Sequence, residues 1–266
     1  MKLKIGLILV MVMTATVFIG PQFTDFDPET IHWDDMAQAP DGVYWFGTDV
    51  MGRDLYIRTL LGGQVSLLVG LLATSVSVII GVLYGMIAGF YGGGVDAVMM
   101  RLVDVFYALP FLFLVILLLV FFGQNMWLLF TAIGCYLWLD MARIVRGQTL
   151  AVKAQPFVEA AKAMGQNNHI ILWRHILPNL INIVLVYATL VIPQVIMIES
   201  FLSFLGLGIQ EPMTSWGALV SEGADNIEMA VWALCFPALF LAVTLVGFNL
   251  LGDGLRDYWD PSNKHQ

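Results

Sequence analysis

Six stretches of this sequence are apolar and carry no charged side chain: residues 5–20, 65–90, 105–122, 126–139, 180–198 and 229–252. A helix needs about 20 mainly apolar residues to cross a bilayer. In hydrocarbon every backbone N–H and C=O must be satisfied within the protein, so such stretches become helices. Composition agrees, with 59% apolar and 12% charged residues, where ordinary soluble domains hold about 45–50% and about 25%. A globule of this size cannot bury that much apolar surface and still cover itself with polar groups. A disordered chain and a water-soluble enzyme are both excluded. The expectation is an all-α integral membrane protein with six transmembrane helices. The fourth stretch is short and must extend through Asn125 and 140–144 to reach across. The first follows Met1-Lys2-Leu3-Lys4 and resembles a secretory signal core, but no small-x-small cleavage site follows it, so a retained span is expected.

Lys and Arg set the orientation, because they are enriched on the cytoplasmic side. With the N-terminus inside, Lys2, Lys4, Arg101, Arg143, Arg146, Lys153, Lys162, Arg174, Arg256 and Lys264 are all cytoplasmic. Only Arg53 and Arg58 remain outside, in an acidic segment with Asp25, Asp27, Glu29, Asp34, Asp35, Asp41, Asp49 and Asp54. Both termini are therefore expected in the cytoplasm. The segment 21–64 is expected to be a solvated external surface, with residues 53–58 forming an interfacial helix. The net charge of −8 argues against nucleic acid, whose phosphates need a basic stripe. Cys135 and Cys235 lie inside apolar runs and are expected to be small buried hydrophobes.

No Asp, Glu, Lys, Arg or His falls in the middle of a run. Ion-coupled carriers use buried ionisable groups as relays, so energy for transport would have to come from a partner. Ala73, Ser77, Gly81, Gly85, Gly89 and Gly93 recur every fourth residue, a small-residue seam that lets two helices approach. Pro110, Pro193 and Pro237 each interrupt a span, and proline bends a helix by removing a hydrogen bond.

The longest cytoplasmic segment, 140–179, is too organised for a simple connection. Phe157, Ala160, Ala161 and Met164 fall at i, i+3, i+4 and i+7, as one apolar helical stripe. Pro156 suits the first turn, Glu159 suits the positive end of the helix dipole, and Gly165 suits a left-handed stop. A second short helix is expected from His169 to Ile176. The segment reads either as a helix resting on lipid or as a knob seated in a soluble subunit's groove.

Glu159-Ala160-Ala161, Gly165 and Leu177-Pro178 resemble the EAA loop of permease subunits in ABC importers. The stretch 174–179 resembles the version in the peptide-importer branch, with His175 where the usual pattern has Ile. Phe46-Gly47-Thr48-Asp49 with Gly52-Arg53-Asp54, the runs 138–150 and 200–208, Ser215-Trp216-Gly217 and 252–257 resemble the C-type subunits of dipeptide, oligopeptide and nickel importers, most of all the oligopeptide subunit. Relatives often carry a longer leader before the first span. The resemblance implies a type I ABC importer permease fold, with a first helix and acidic extracytoplasmic segment at 1–64, a permease core at 65–256 and a cytoplasmic tail at 257–266. It implies a multi-pass subunit of the cytoplasmic (inner) membrane. Its partners would be a homologous B-type permease, two ATPase subunits that bind ATP and Mg, and an extracytoplasmic peptide-binding protein. Glu159, Ala160, Ala161, Gly165, Leu177 and Pro178 would couple the loop 152–178 to an ATPase.

No Gly-Lys dipeptide occurs, so there is no phosphate loop and no ATP hydrolysis by this chain itself. No His-Glu-x-x-His or Gly-x-Ser-x-Gly appears, and His32, His169, His175 and His265 are scattered, without ligand spacing; no cofactor or metal is expected. The implied cargo is an oligopeptide, with dipeptides, glutathione or nickel as alternatives. An ion-coupled carrier is a weaker rival, and so is a scaffold without transport. Asn182, Gln194 and Asn249 are polar positions in the spans where a cargo could be held.

Overall fold

The structure, a computed structural model, describes residues 1–123 and 125–259. Lys264 and His265, with most of the expected tail, lie outside the described residues. The helices in chain order are α1 (Lys2–Ile19), α2 (Leu55–Tyr91), α3 (Gly93–Tyr107), α4 (Phe111–Phe122), α5 (Met126–Lys153), α6 (Pro156–Ala163), α7 (Asn168–Ile171), α8 (Leu177–Phe204), α9 (Trp216–Asp225) and α10 (Val231–Trp259). A π-helical turn, Leu172–Ile176, joins α7 to α8. An isolated antiparallel bridge, Thr48–Asp54, is the one β feature among the described residues.

Five stretches are long and apolar enough to cross a membrane: Lys2–Phe23, Leu55–Tyr91, Met126–Lys153, Asn168–Phe204 and Val231–Trp259. The third expected span, 105–122, is broken. α3 and α4 together have the length and composition, but they meet at 77°. The cause is local: Pro110 N-caps α4 in an extended conformation, and the residue before a proline is driven out of the helical region. Pro193 and Pro237 lie within α8 and α10, which continue through them. α5 runs well past 139, supplying the length that the short apolar run lacked. The boundary drawn at 64/65 falls inside α2, which begins ten residues earlier because Asp54 caps it by accepting the Ile57 N–H at 2.7 Å.

Close helix contact explains the small-residue seam. A Cβ on Gly81 would lie 2.5 Å from the Met141 Cβ, and one on Gly85 2.3 Å from the Ala142 carbonyl oxygen. α2 and α5 therefore pack backbone against backbone. Gly93 does not belong to this seam: it opens α3, with φ +53° and open space where a Cβ would stand. α1 lies along α10; Leu3 backs onto Gly254, and Lys2 pairs with Asp257 at 3.5 Å. This places both ends of the described chain on one face, here called the terminal face.

Apolar side chains also cover the outside of the bundle, as on α4, where Val120, Phe121 and Phe122 are each more than 70% exposed. Lipid accepts such a surface as readily as the interior does. This corrects the expectation for the cysteines: Cys135 and Cys235 are free and exposed on the outer surface of the bundle.

Candidate functional site

On the terminal face α5 ends at Lys153, and Gln155 turns the chain in an extended conformation. Pro156 then opens α6 at its first position, where a missing N–H costs nothing. The helix ends in a Schellman motif. Gly165 adopts φ +76° and donates to the Lys162 carbonyl at 2.9 Å, while Gln166 donates to the Ala161 carbonyl at 3.2 Å. The left-handed stop expected at Gly165 is present.

The apolar stripe expected on this helix is not its buried face. Val158 and Ala161 point inward, at 0% and 1% exposure, onto Val82, Met86 and Phe90 of α2, Val145 of α5, and Ile171, Leu172, Ile176 and Leu180. Phe157, Ala160 and Met164 face away from the protein. The i, i+3 pair Val158–Ala161 joins the buried cluster that also holds Phe90 at the end of α2. Lys153 and Lys162 hold their ammonium groups 5.8 Å and 5.7 Å from the Phe90 ring centre. α6 thus sits as a shelf on α2 and α5, presenting Phe157, Glu159, Ala160 and Met164 outward.

Glu159 lies in the first turn of α6. It is exposed, and no side-chain hydrogen bond or ion pair of Glu159 occurs among the described residues. Its side chain does not cap its own helix. Of the six residues singled out in the sequence, Glu159, Ala160, Gly165 and Pro178 are exposed, Leu177 is half-buried and Ala161 is buried. The second helix, expected at His169–Ile176, is α7 followed by the π turn, and it runs directly into Leu177-Pro178 and α8. Within it His175 Nε2 lies 3.0 Å from Gln166 Oε1 and the Trp173 indole donates to His169 Nε2 at 3.0 Å.

Ion pairs whose arginines served in the sequence only as topology signals tie α5, on which this shelf rests, to α3. Arg146 of α5 grips Asp96 of α3 through both carboxylate oxygens, with Nε to Oδ1 at 3.0 Å. Arg143 donates to Asp104 at 2.8 Å and stacks 4.3 Å over the Tyr107 ring, whose hydroxyl donates to Asp140 at 2.7 Å.

At the opposite face the segment 53–58 is not an interfacial helix. Arg53 and Arg58 are buried, at 8% and 4% exposure, and converge on Asp49, whose Oδ2 accepts from Arg53 Nε at 2.7 Å and Arg58 Nη1 at 2.5 Å. Arg53 also donates to Glu211 at 2.7 Å and Arg58 to Glu222 at 2.9 Å. Burial by itself would lower the Arg53 pKa, but the hydrogen bond to Glu211 and the charge of Asp49 raise it on balance. The same Arg53 bond holds Glu211 below the usual carboxylate range. Asp49 and Asp54 are therefore part of the folded interior rather than a solvated surface.

Glu199 of α8 is fully buried beside this cluster. It accepts from Ser203 and Ser215 at 2.7 Å each, with Ser66 Oγ at 3.4 Å. Ser215 in turn caps α9 by accepting the Ala218 N–H at 3.1 Å, and Trp216, wholly buried, donates its indole N–H to the Thr59 carbonyl at 2.9 Å. The quoted motifs thus build one wall: Asp49 and Arg53 from the first, Ser203 from the second, Ser215-Trp216-Gly217 from the third. Gly52 is required there, with φ +76° and no room for a Cβ, which would come within 1.9 Å of the His32 carbonyl oxygen.

The geometry invites comparison with known proteins. Residues 81–265 match the family model described as "Binding-protein-dependent transport system inner membrane component". The oligopeptide transport system permease protein OppC of Haemophilus influenzae is 50% identical over 261 residues, covering 97% of this chain and 84% of that protein. The dipeptide transport system permease protein DppC of Bacillus subtilis is 41% identical over 257 residues, covering 96% and 80%. A crystal structure of an amino acid ABC transporter superposes with a TM-score of 0.51 at 16% identity, covering 78% of this chain and 94% of that one; at that identity it speaks for the fold alone. The helical bundle, the α6 shelf, the family match across most of the chain and the 50% identical relative together place the chain: it belongs to the binding-protein-dependent transport system inner membrane component family, as an ABC-transporter permease of the OppC-like kind.

Proposed function

We propose that this chain is the C-type permease subunit of an importer that carries oligopeptides across the cytoplasmic membrane. The observation that carries the reading is the α6 shelf: a small-residue helix with Glu159, Ala160, Phe157 and Met164 facing outward, buttressed from behind by Val158 and Ala161. Exposed apolar side chains rimmed by charge mark a docking surface, and a short helix seats in a groove of its partner. The partner is a soluble ATPase subunit. Glu159, Ala160 and Gly165 make the contact, Ala161 holds the shelf to α2, and Leu177-Pro178 pass its motion into α8. Two such ATPases bind ATP and Mg, a homologous B-type permease completes the pathway across the core drawn at 65–256, and an extracytoplasmic binding protein delivers cargo. The Lys and Arg bias puts the terminal face, with both chain ends and α6, in the cytosol. The segment 21–64 with its acids lies outside.

The cargo reading rests on the OppC relatives. It is tested by uptake into proteoliposomes holding the intact importer, with labelled tetrapeptide as cargo and excess unlabelled dipeptide, glutathione or nickel ion as competitor. The expected outcome is ATP-dependent tetrapeptide uptake displaced by tetrapeptide far better than by the other three. Preferential displacement by any of those would reassign the cargo.

A further inference from the structure

At the inner end of the bundle, three spans leave a groove of about 320 Å³ between them. Its wall is Gln148 from α5, Asn179, Asn182, Ile183 and Val186 from α8, and Arg256 and Trp259 from α10. The polar members are exposed, so they stand open to whatever enters. The side chains of Gln148 and Asn182 make no hydrogen bond, and Arg256 makes no ion pair, among the described residues. Asn179 uses its amide N–H on the His175 carbonyl at 2.7 Å, which leaves its side-chain oxygen as a free acceptor. Acyl chains offer these groups nothing, and an unsatisfied amide in hydrocarbon is costly. From Asn182 to the buried Glu199, α8 rises about 25 Å. The groove therefore opens at the inner boundary of the hydrocarbon, on the same face as α6.

We propose that this groove is a cargo site, holding the main chain and the carboxylate end of a peptide on its way out into the cytosol. The inference rests on the peptide-importer reading and adds the residues that touch the cargo. A primary amide presents one donor edge and one acceptor edge, which complement the C=O and N–H of a peptide unit. Three amides, Asn179 and Asn182 on α8 and Gln148 on α5, bind a backbone irrespective of its side chains, as a carrier of many peptides requires. Arg256 supplies the planar two-point donor that suits a carboxylate, and Ile183, Val186 and Trp259 cover the apolar remainder. A lipid phosphate would use the arginine and the amide N–H groups but leave the amide oxygens idle. The groove's place in the chain gives it a use. Asn179 follows Leu177-Pro178, and α7, the π turn and α8 are continuous, so movement of the α6–α7 shelf shifts the α8 wall against α5 and α10. The site then tightens or opens with the ATPase cycle.

The test uses the intact importer in proteoliposomes, with Cys135 and Cys235 replaced by alanine and Ile183→Cys as reporter. Alkylation of that cysteine by a charged maleimide is timed alone, with millimolar tri-alanine, and with tri-alanine amide. Tri-alanine is expected to slow alkylation severalfold and its amide clearly less. Arg256→Gln should erase the difference between the two probes, while Asn182→Leu and Gln148→Leu should lose protection by both yet still assemble with the ATPases. Equal alkylation with and without peptide would overturn the site. So would protection that follows the phosphatidylglycerol content of the vesicle instead of the peptide. ATP-dependent uptake by the unmutated importer separates the two ideas: uptake there with no protection of the reporter cysteine sinks only the groove, whereas no uptake there sinks the importer reading.

Discussion

Single residues decide whether this bundle closes. Gly85 is the sharpest case on the α2–α5 seam, since its α-carbon faces the Ala142 carbonyl with no room for a methyl group. Gly85→Val is expected to destabilise the protein by about 1–3 kcal/mol, the usual cost of overpacking, read as a lowered Tm in detergent. The same change at Gly147, which has open space, should shift it far less; equal shifts would mean the seam is not a close contact. At the opposite face the Arg53–Glu211 bond has a pH signature. Its effect on Glu211 is to depress the folded pKa, so the stabilisation is complete above the ordinary value near 4.5 and is lost as pH falls below it toward the lowered pKa. Wild type should exceed Glu211→Gln in Tm by a constant margin from neutral pH down to about 4.5, and the margin should shrink below that. A margin that stays constant in acid would show that the pair adds nothing to the fold.

At the scale of elements, helix ends explain what the sequence could and could not tell. Pro156, Glu159 and Gly165 marked α6 correctly because caps and stops are local chemistry. Which side of it packs inward was not legible, because Phe157, Ala160 and Met164 are as apolar as Val158 and Ala161; apart from Ala161 the expected stripe faces outward, as a contact with lipid or with a partner requires. The break between α3 and α4 was half legible, as Pro110 announced a bend but not its size. The ion-pair cluster was not legible: buried Asp49, Arg53 and Arg58 meet the more exposed Glu211 and Glu222 from more than 150 residues away, and look like solvated surface until α2 and α9 are packed together. Their one signal was the motif that contains Asp49 and Arg53. Two outcomes follow for elements. Gly165→Ala forces a left-handed residue to carry a Cβ, at a cost of about 1–2 kcal/mol, so amide exchange at 160–166 should speed up while the spans are unchanged. Glu199→Leu strands the Ser203 and Ser215 hydroxyls, with a loss of about 1–3 kcal/mol per unsatisfied group, and should loosen α9 first, seen as faster exchange at 216–225 than at 177–198. Uniform exchange across both segments would remove Glu199 from its role in docking α9.

For the whole molecule, the spans supply a bundle whose outer surface suits lipid, while the two ends divide the work. The end away from the termini is locked by ion pairs and the Glu199 network. The terminal face carries the α6 shelf, the Arg143 and Arg146 braces and the groove between α5, α8 and α10. The sequence holds no Gly-Lys phosphate loop, and the proposed function assigns the energy to ATPases that push on α6. The most direct test is co-purification of the chain with those ATPases, with peptide-stimulated ATP hydrolysis measured on what is recovered. Wild type is compared with Glu159→Lys and Gly165→Asp, after each is shown to insert and to pair with the B-type subunit. The account predicts that both variants lose the ATPases or hydrolyse ATP without peptide uptake. If both hold the ATPases and transport as wild type does, α6 is an interfacial helix and the coupling account is wrong.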